Sequence, residues 1–489
     1  MFGRFSPSWL VLASLGLAPS LACTAHSPAP DGAGAGGTGE LPDPAGTLTV
    51  DTGCGLVSSD TCPGDPATDG KCGLEEAVLA LRDQKSEYGC TWSGTMGLNN
   101  TILLPASGLF RVTTTLDIAS PVTIRSSQAE KLATIALAGE SNLFGVTPMS
   151  PMSITFRDLH LLGPGQWLDA QSTGISVSGE TSTGVAKIEV ERCWIEQFSN
   201  GGIVASDVTL TVSDSTLEHN SNDYGDGGGG IFYSTAGDAK SQVDSLTVTN
   251  SSITHNHSTK GAGLQIQSNS VARIINSTIA DNLTDGGHGG GISFGNNAGP
   301  LTDGVLSILG STIAFNGTTM FEGGGVAVGA NQALFTENVN NRIHLVGSVV
   351  ANNCFAQVNS DFSFTCTSPS DVFGDIYRFQ DSLLGNSLSS NIIGVDQGGE
   401  GREGATWVDV DAGLEPQLTD QGGVGEHHPR VHALTADSLA IDATAALKTV
   451  NGVDAAHQFD QTHQLRGFDH LPAGPKVFDL GAVERRSNP

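Results

Sequence analysis

From about residue 190 the chain repeats itself, and this repeat limits the possible folds more than any other feature. Aligned on one column, the segments read Cys193-Trp194-Ile195, Ser215-Thr216-Leu217, Ser251-Ser252-Ile253, Ser277-Thr278-Ile279, Ser311-Thr312-Ile313 and Ser348-Val349-Val350. Five residues after each column start come Phe198, Asn220, Asn256, Asn282, Asn316 and Asn353. Glycine-rich strand starts then follow at Gly201, Gly228, Gly261, Gly289 and Gly323. Each repeat holds short alternating strands that cannot bury a face alone, so successive copies must stack and pair in parallel.

The repeat therefore predicts an all-β right-handed parallel β-helix, a solenoid of the pectin-lyase-like kind. Successive asparagines are 36, 26, 34 and 37 residues apart, a scatter that suits coils with loops better than the even blades of a propeller. The Ile, Leu and Val column is expected to point inward. The Asn220, Asn256, Asn282, Asn316 and Asn353 column falls at a turn, where stacked amides form a structural hydrogen-bond ladder. The glycines that follow mark backbone with positive φ or close approach. Extra length collects after the glycine-led strands (234–244, 295–304, 329–342), on one edge, where a solenoid shields or binds.

Composition agrees with this architecture. Glycine reaches 64 of 489 residues, while aromatics make up 6% and charged residues 15%. Helical periodicity is confined to Gly73–Arg82, where Leu74, Val78 and Leu81 share one stripe, so this short helix is expected to cap the open end of the core. Residues 48–99 read as a Cys-rich cap, 100–394 as the β-helix and 395–489 as a closing region.

At the front, residues 1–22 form a signal peptide, with Arg4 before an apolar run too short to span a bilayer. Cys23 follows Ser20-Leu21-Ala22 and is the expected lipidation site. Residues 23–47 are a flexible Pro/Gly/Ala linker. The protein is expected to be exported, either held at the envelope as an outer-membrane lipoprotein or released. In an oxidising compartment Cys54, Cys62, Cys72 and Cys90 can form two bridges with three possible connectivities, and Cys354 and Cys366 a third bridge. Cys193 falls inside the repeat as a buried free thiol. No C-x-x-C spacing supports a zinc site among the first four.

With 51 Asp and Glu against 22 Lys and Arg, the formal charge is -29. Such a field repels phosphate backbones, which argues against nucleic-acid partners, and it also repels polyanionic sugars unless cations bridge them. No cofactor is expected beyond weak Ca2+ binding at acidic surface groups, and no metal site is assigned.

Two further stretches carry a family resemblance. Cys72-Gly73-Leu74-Glu75-Glu76-Ala77, after Thr49-Val50-Asp51, resembles the Cys-Ser-Leu-Arg-Glu-Ala motif that opens many bacterial surface β-helix proteins. Gly and Glu replace its Ser and Arg. Asp411-Ala412-Gly413-Leu414, Ala440-Ile441-Asp442-Ala443 and Asp479-Leu480-Gly481-Ala482-Val483-Glu484 resemble the choice-of-anchor Q carboxy-terminal region, although its Asp-Gln-Arg-Gly run here reads Gln464-Leu465-Arg466-Gly467. The middle is similar to the repeats of polymorphic outer-membrane proteins. The resemblance implies a surface or secreted solenoid, in families mostly without assigned activity.

Catalysis gets little support. The positions just before each glycine triplet place Asp226, Lys260, His288 and Glu322 on neighbouring coils, a candidate acid–base strip that reads more readily as a charge-complementary solvent edge. Gly287-His288-Gly289 matches the Gly-His-Gly of polygalacturonases, but their companion motifs are absent. His428 and His432 have a metal-like spacing, which Pro429 breaks, and Arg466 with Asp442 or Asp479 reads as a structural ion pair. The expectation is a non-catalytic envelope or secreted protein for adhesion, carbohydrate or surface-protein binding. The alternative is an extracellular polysaccharide lyase or glycoside hydrolase.

Overall fold

The computed structural model describes residues 46–51, 71–86 and most of 89–384. Short stretches follow at 414–419, 429–435, 449–450, 453–454 and 461. Residues 1–45, Cys54, Cys62, Asp226, Glu322, the loops 236–244, 296–303 and 329–341, His428, Asp442, Arg466 and Asp479 lie outside the described residues. The signal peptide, Cys23 and the second N-terminal bridge fall there too.

The described residues form a right-handed parallel β-helix. One coil runs from Val208–Ser213 through Thr216–Glu218, Ser221–Asn222 and Ile231–Ser234 before Ser245–Thr249 stacks on the first strand. Repetition of this path builds four sheets. The first has 11 strands from Thr47–Thr49 to Ile376–Gln380, the second 10, the third six and the fourth nine. Within them nearly all pairs are parallel, as crossover connections require; the exception is Cys354–Val358 against Phe364–Pro369.

Alternation decides what fills the core. On the first sheet Ile188, Leu210, Leu246, Ala272, Leu306 and Ile343 pair coil on coil, and all face inward and are buried. On the second, Ile195, Leu217, Ile253, Ile279, Ile313 and Val350 do the same. Each fully buried Leu or Ile contributes about 1.5–3 kcal/mol, so stability accumulates coil by coil.

Two corners give the coil its cross-section. The residue before the Ser column is left-handed at Arg192, Asp214, Asn250, Asn276, Gly310 and Gly347. The residue before the Asn column is left-handed at Gln197, His219, His255, Asp281, Phe315 and Asn352. Such turns expose backbone groups that the columns satisfy. Asn256 Nδ2 donates to the Leu217 carbonyl at 3.0 Å and to Asn282 Oδ1 at 3.0 Å, and Asn256 N–H donates to the same Oδ1 at 3.0 Å. The pattern runs through Asn220, Asn256, Asn282, Asn316 and Asn353. It begins where Phe198 N–H donates to Asn220 Oδ1 and ends where Asn353 donates to Asp371 Oδ1 at 2.9 Å. The serines form a second ladder. Ser251 N–H donates to Ser277 Oγ at 3.1 Å, and Ser277 Oγ donates to the Ile275 carbonyl at 2.8 Å.

The glycine turn is shaped by close approach. Gly289 has φ +73, and a Cβ on Gly263 would lie 2.5 Å from the Gly291 carbonyl of the next coil. Side chains do not fit there.

At the amino end, helix α1 (Leu74–Asp83) buries Leu74, Ala77, Val78, Ala80 and Leu81. Glu75 and Glu76 sit at its positive end and Arg82 at its negative end. Cys72 pairs with Cys90, and Cys354 with Cys366. Cys193 is a buried free thiol, pushed up to about 12 by burial. Among the described residues no helix is long and apolar enough to cross a membrane.

Candidate functional site

Only two members of the predicted acid–base strip are described, and they stack in register. Gly228 N–H donates to the Lys260 carbonyl at 2.9 Å, and Gly261 N–H to the His288 carbonyl at 3.2 Å. Lys260 is half-buried, but His288 is only 4% exposed. The expected solvent ridge is therefore corrected at its centre. The glycine turns stack backbone on backbone, and the imidazole between them is shut away from water.

A denser group of titratable side chains stands elsewhere, on the outer face of the second sheet. Strand alternation sends Ile195 and Leu217 inward, so Trp194, Glu196, Thr216 and Glu218 project outward. His160 stacks beneath Trp194, with ring centroids 4.2 Å apart and planes 10° from parallel. The same imidazole meets Glu196 Oε1 through Nε2 at 2.9 Å. Trp194 Nε1 donates to Glu218 Oε1 at 3.0 Å. Beside Glu218, the left-handed corner turns the His219, His255, Asp281 and Phe315 side chains outward on successive coils.

The C-terminal closing region lies against this face. Arg430 forms an ion pair with Glu218. Gln461 accepts from Thr278 Oγ1 at 2.7 Å and donates to the Ser251 carbonyl at 3.1 Å. His432 packs against Phe315 with ring centroids 4.4 Å apart and planes tilted by 41°, and its Nε2 lies 3.3 Å from Asp281 Oδ2. Its Nδ1 is 2.7 Å from the Glu415 carbonyl. His432 thus anchors the closing region, while His428 lies outside the described residues. Along the covered coils Ser252, Thr254, Thr278 and Ala280 are fully buried, whereas Trp194, His160 and His219 stay partly exposed.

Burial, and then the neighbouring His255, holds His219 below the usual histidine value, opposed by Glu196. Burial also lowers His255, with Asp281 opposing and His432 reinforcing the shift. Burial thus favours the neutral form of both rings. Four groups in this cluster, Glu196, Glu218, His219 and His255, carry no family motif. The signal available in sequence is the repeated His-Asn pair (His219-Asn220, His255-Asn256), one position before a column already visible. A smaller group lies on the third sheet, where His257 contacts Asp223 at 2.8 Å and Asp285 at 3.5 Å.

No family model matches this chain, and no curated protein does. Among solved structures, the crystal structure of pectate lyase Pel9A is similar at a TM-score of 0.48 and 14% identity, over 90% of this chain and 96% of that chain. At that distance the likeness says nothing about chemistry, and the fold stands on its own strand register.

Proposed function

We propose that this protein is an exported, non-catalytic β-helix that binds carbohydrate through the outer face of its second sheet, at the cell envelope by way of Cys23. One observation carries the reading. The Trp194–His160 stack lies between the carboxylates of Glu196 and Glu218, at the part of the face that the closing region leaves partly open. An apolar ring edge beside fixed acceptors suits sugar rings and hydroxyls. The charge of -29 favours an uncharged polymer over a polyanionic one. The two described disulfides fit an oxidising compartment, and the family resemblance of the two chain ends supports a surface location.

An extracellular polysaccharide lyase or hydrolase is the second reading, favoured by one feature. Glu196 and Glu218 are register partners on adjacent coils, and such a carboxylate pair can do acid–base work. A glycan-binding array run beside a polysaccharide-cleavage screen, with and without calcium, separates the two. Binding without cleavage, weakened at least about tenfold in Trp194→Ala, is the expected result. Product release that disappears in Glu218→Gln or His288→Ala would establish the enzyme instead.

A further inference from the structure

Glu218, His219 and His255 each bring one ligand atom to within 4.8 Å of the others. The fold sets this spacing. His219 and His255 occupy the same left-handed corner on successive coils, and their ring centroids are 5.0 Å apart. Glu218 precedes His219 in the chain and reaches the same space.

A second observation points to a ligand. Nδ1 of His255 is buried and has no hydrogen-bond partner. A buried ring nitrogen normally has one, and leaving it without costs about 1–3 kcal/mol. Glu218 already accepts from Trp194 Nε1 and pairs with Arg430, but a carboxylate has about four lone-pair positions, so two remain.

From these contacts we infer that Glu218, His219 and His255 form a binding site for a first-row transition-metal dication of the zinc class. Water fills the fourth position, and Asp281 adds negative charge from the next coil. Neutral imidazole is the form that ligates, and two nitrogen donors with one carboxylate select zinc-like ions over calcium, which takes oxygen ligands. Tetrahedral zinc requires donors roughly 3.3–3.5 Å apart, so the side chains close by about 1 Å on loading. His219 is partly exposed and can make that movement. The site does not depend on whether the face binds sugar. Arg430 has a defined role here: its charge beside Glu218 opposes the metal, so the closing region tunes affinity.

The test uses the full chain, stripped with EDTA and dialysed metal-free. Zn2+ is titrated by calorimetry, and Co2+ is followed by its visible absorption. One ion per chain is expected, with His219→Gln and His255→Gln each weakening binding by about 100-fold or more. Arg430→Ala should tighten it severalfold, a gain that general loss of structure cannot produce. Far-UV circular dichroism reports whether each variant is folded. The proposal is overturned if folded His219→Gln and His255→Gln proteins bind Zn2+ like the natural chain. It is equally overturned if the natural chain binds none, or if Ca2+ competes at equal concentration.

Discussion

Asn282→Ala tests the ladder at its centre. The Asn282 side chain is fully buried and makes four hydrogen bonds. Its Oδ1 accepts from Asn256 N–H and Asn256 Nδ2, both at 3.0 Å, and its Nδ2 donates to the Ile253 carbonyl at 2.9 Å and Asn316 Oδ1 at 2.8 Å. Alanine leaves two buried donors of Asn256 without an acceptor. At about 1–3 kcal/mol for each orphaned donor, the loss should be about 2–6 kcal/mol, a large share of a stability on the order of 5–15 kcal/mol. Urea unfolding followed by far-UV circular dichroism measures it. Asn359→Ala, at an exposed residue whose side chain donates to Thr365 Oγ1 at the surface, is the control and should stay within about 0.5 kcal/mol. Hydrogen exchange should lose protection first in the coils at 252–256 and 278–284. A change at Asn282 no larger than the control would refute the reasoning, since it would mean the backbone at these corners needs no side-chain amide.

Three other outcomes follow from described contacts. Gly289→Ala should destabilise by more than about 1 kcal/mol in the same urea experiment, because φ is +73 and the new Cβ would lie 2.2 Å from the Ile292 carbonyl; an unchanged midpoint would contradict this. Cys193, buried and pushed up to about 12, should resist thiol reagents in the native state and react only after denaturation. Labelling of native protein at pH 8 would disprove it. His219 and His255 are held below their ordinary value of 6.5 in the fold, so the unfolded chain takes up protons first as pH falls. Their contribution to stability is therefore complete above about pH 6.5 and declines below it. The His219→Gln, His255→Gln double variant should flatten that decline in metal-free buffer, whereas an unaltered pH profile would count against it.

The β-helix was legible in sequence because its determinants are periodic. A Ser, Ile and Asn column repeated at nearly every coil leaves few other ways to bury Leu217, Ile253 and Ile279 together, and α1 showed as the single helical stripe. The second ladder, through Ser251 and Ser277, was visible as a column but not as a hydrogen-bond chain, since that depends on the left-handed Asn250 and Asn276 preceding it. The candidate site was harder. Its groups come from adjacent coils 36 residues apart and from a closing region far along the chain, as in the Arg430–Glu218 pair with a separation of 212. No local motif records such an encounter. The strip at His288 was legible as an alignment, while its burial depends on how tightly the glycine turns stack, which a pattern of residue types does not state.

The asparagine ladder also has a direction. Every amide in it both gives and receives, so each coil offers the next the same bond it has just accepted. Phe198 at one end has no amide to extend the series, and Asp371 at the other is a carboxylate, able to receive from Asn353 but with no N–H in its side chain to hand on. The relay thus carries its own stop signal at both ends. A molecule built from self-similar layers is at constant risk of recruiting a neighbour as one more layer, and this chain closes its corner column with residues that cannot propagate it.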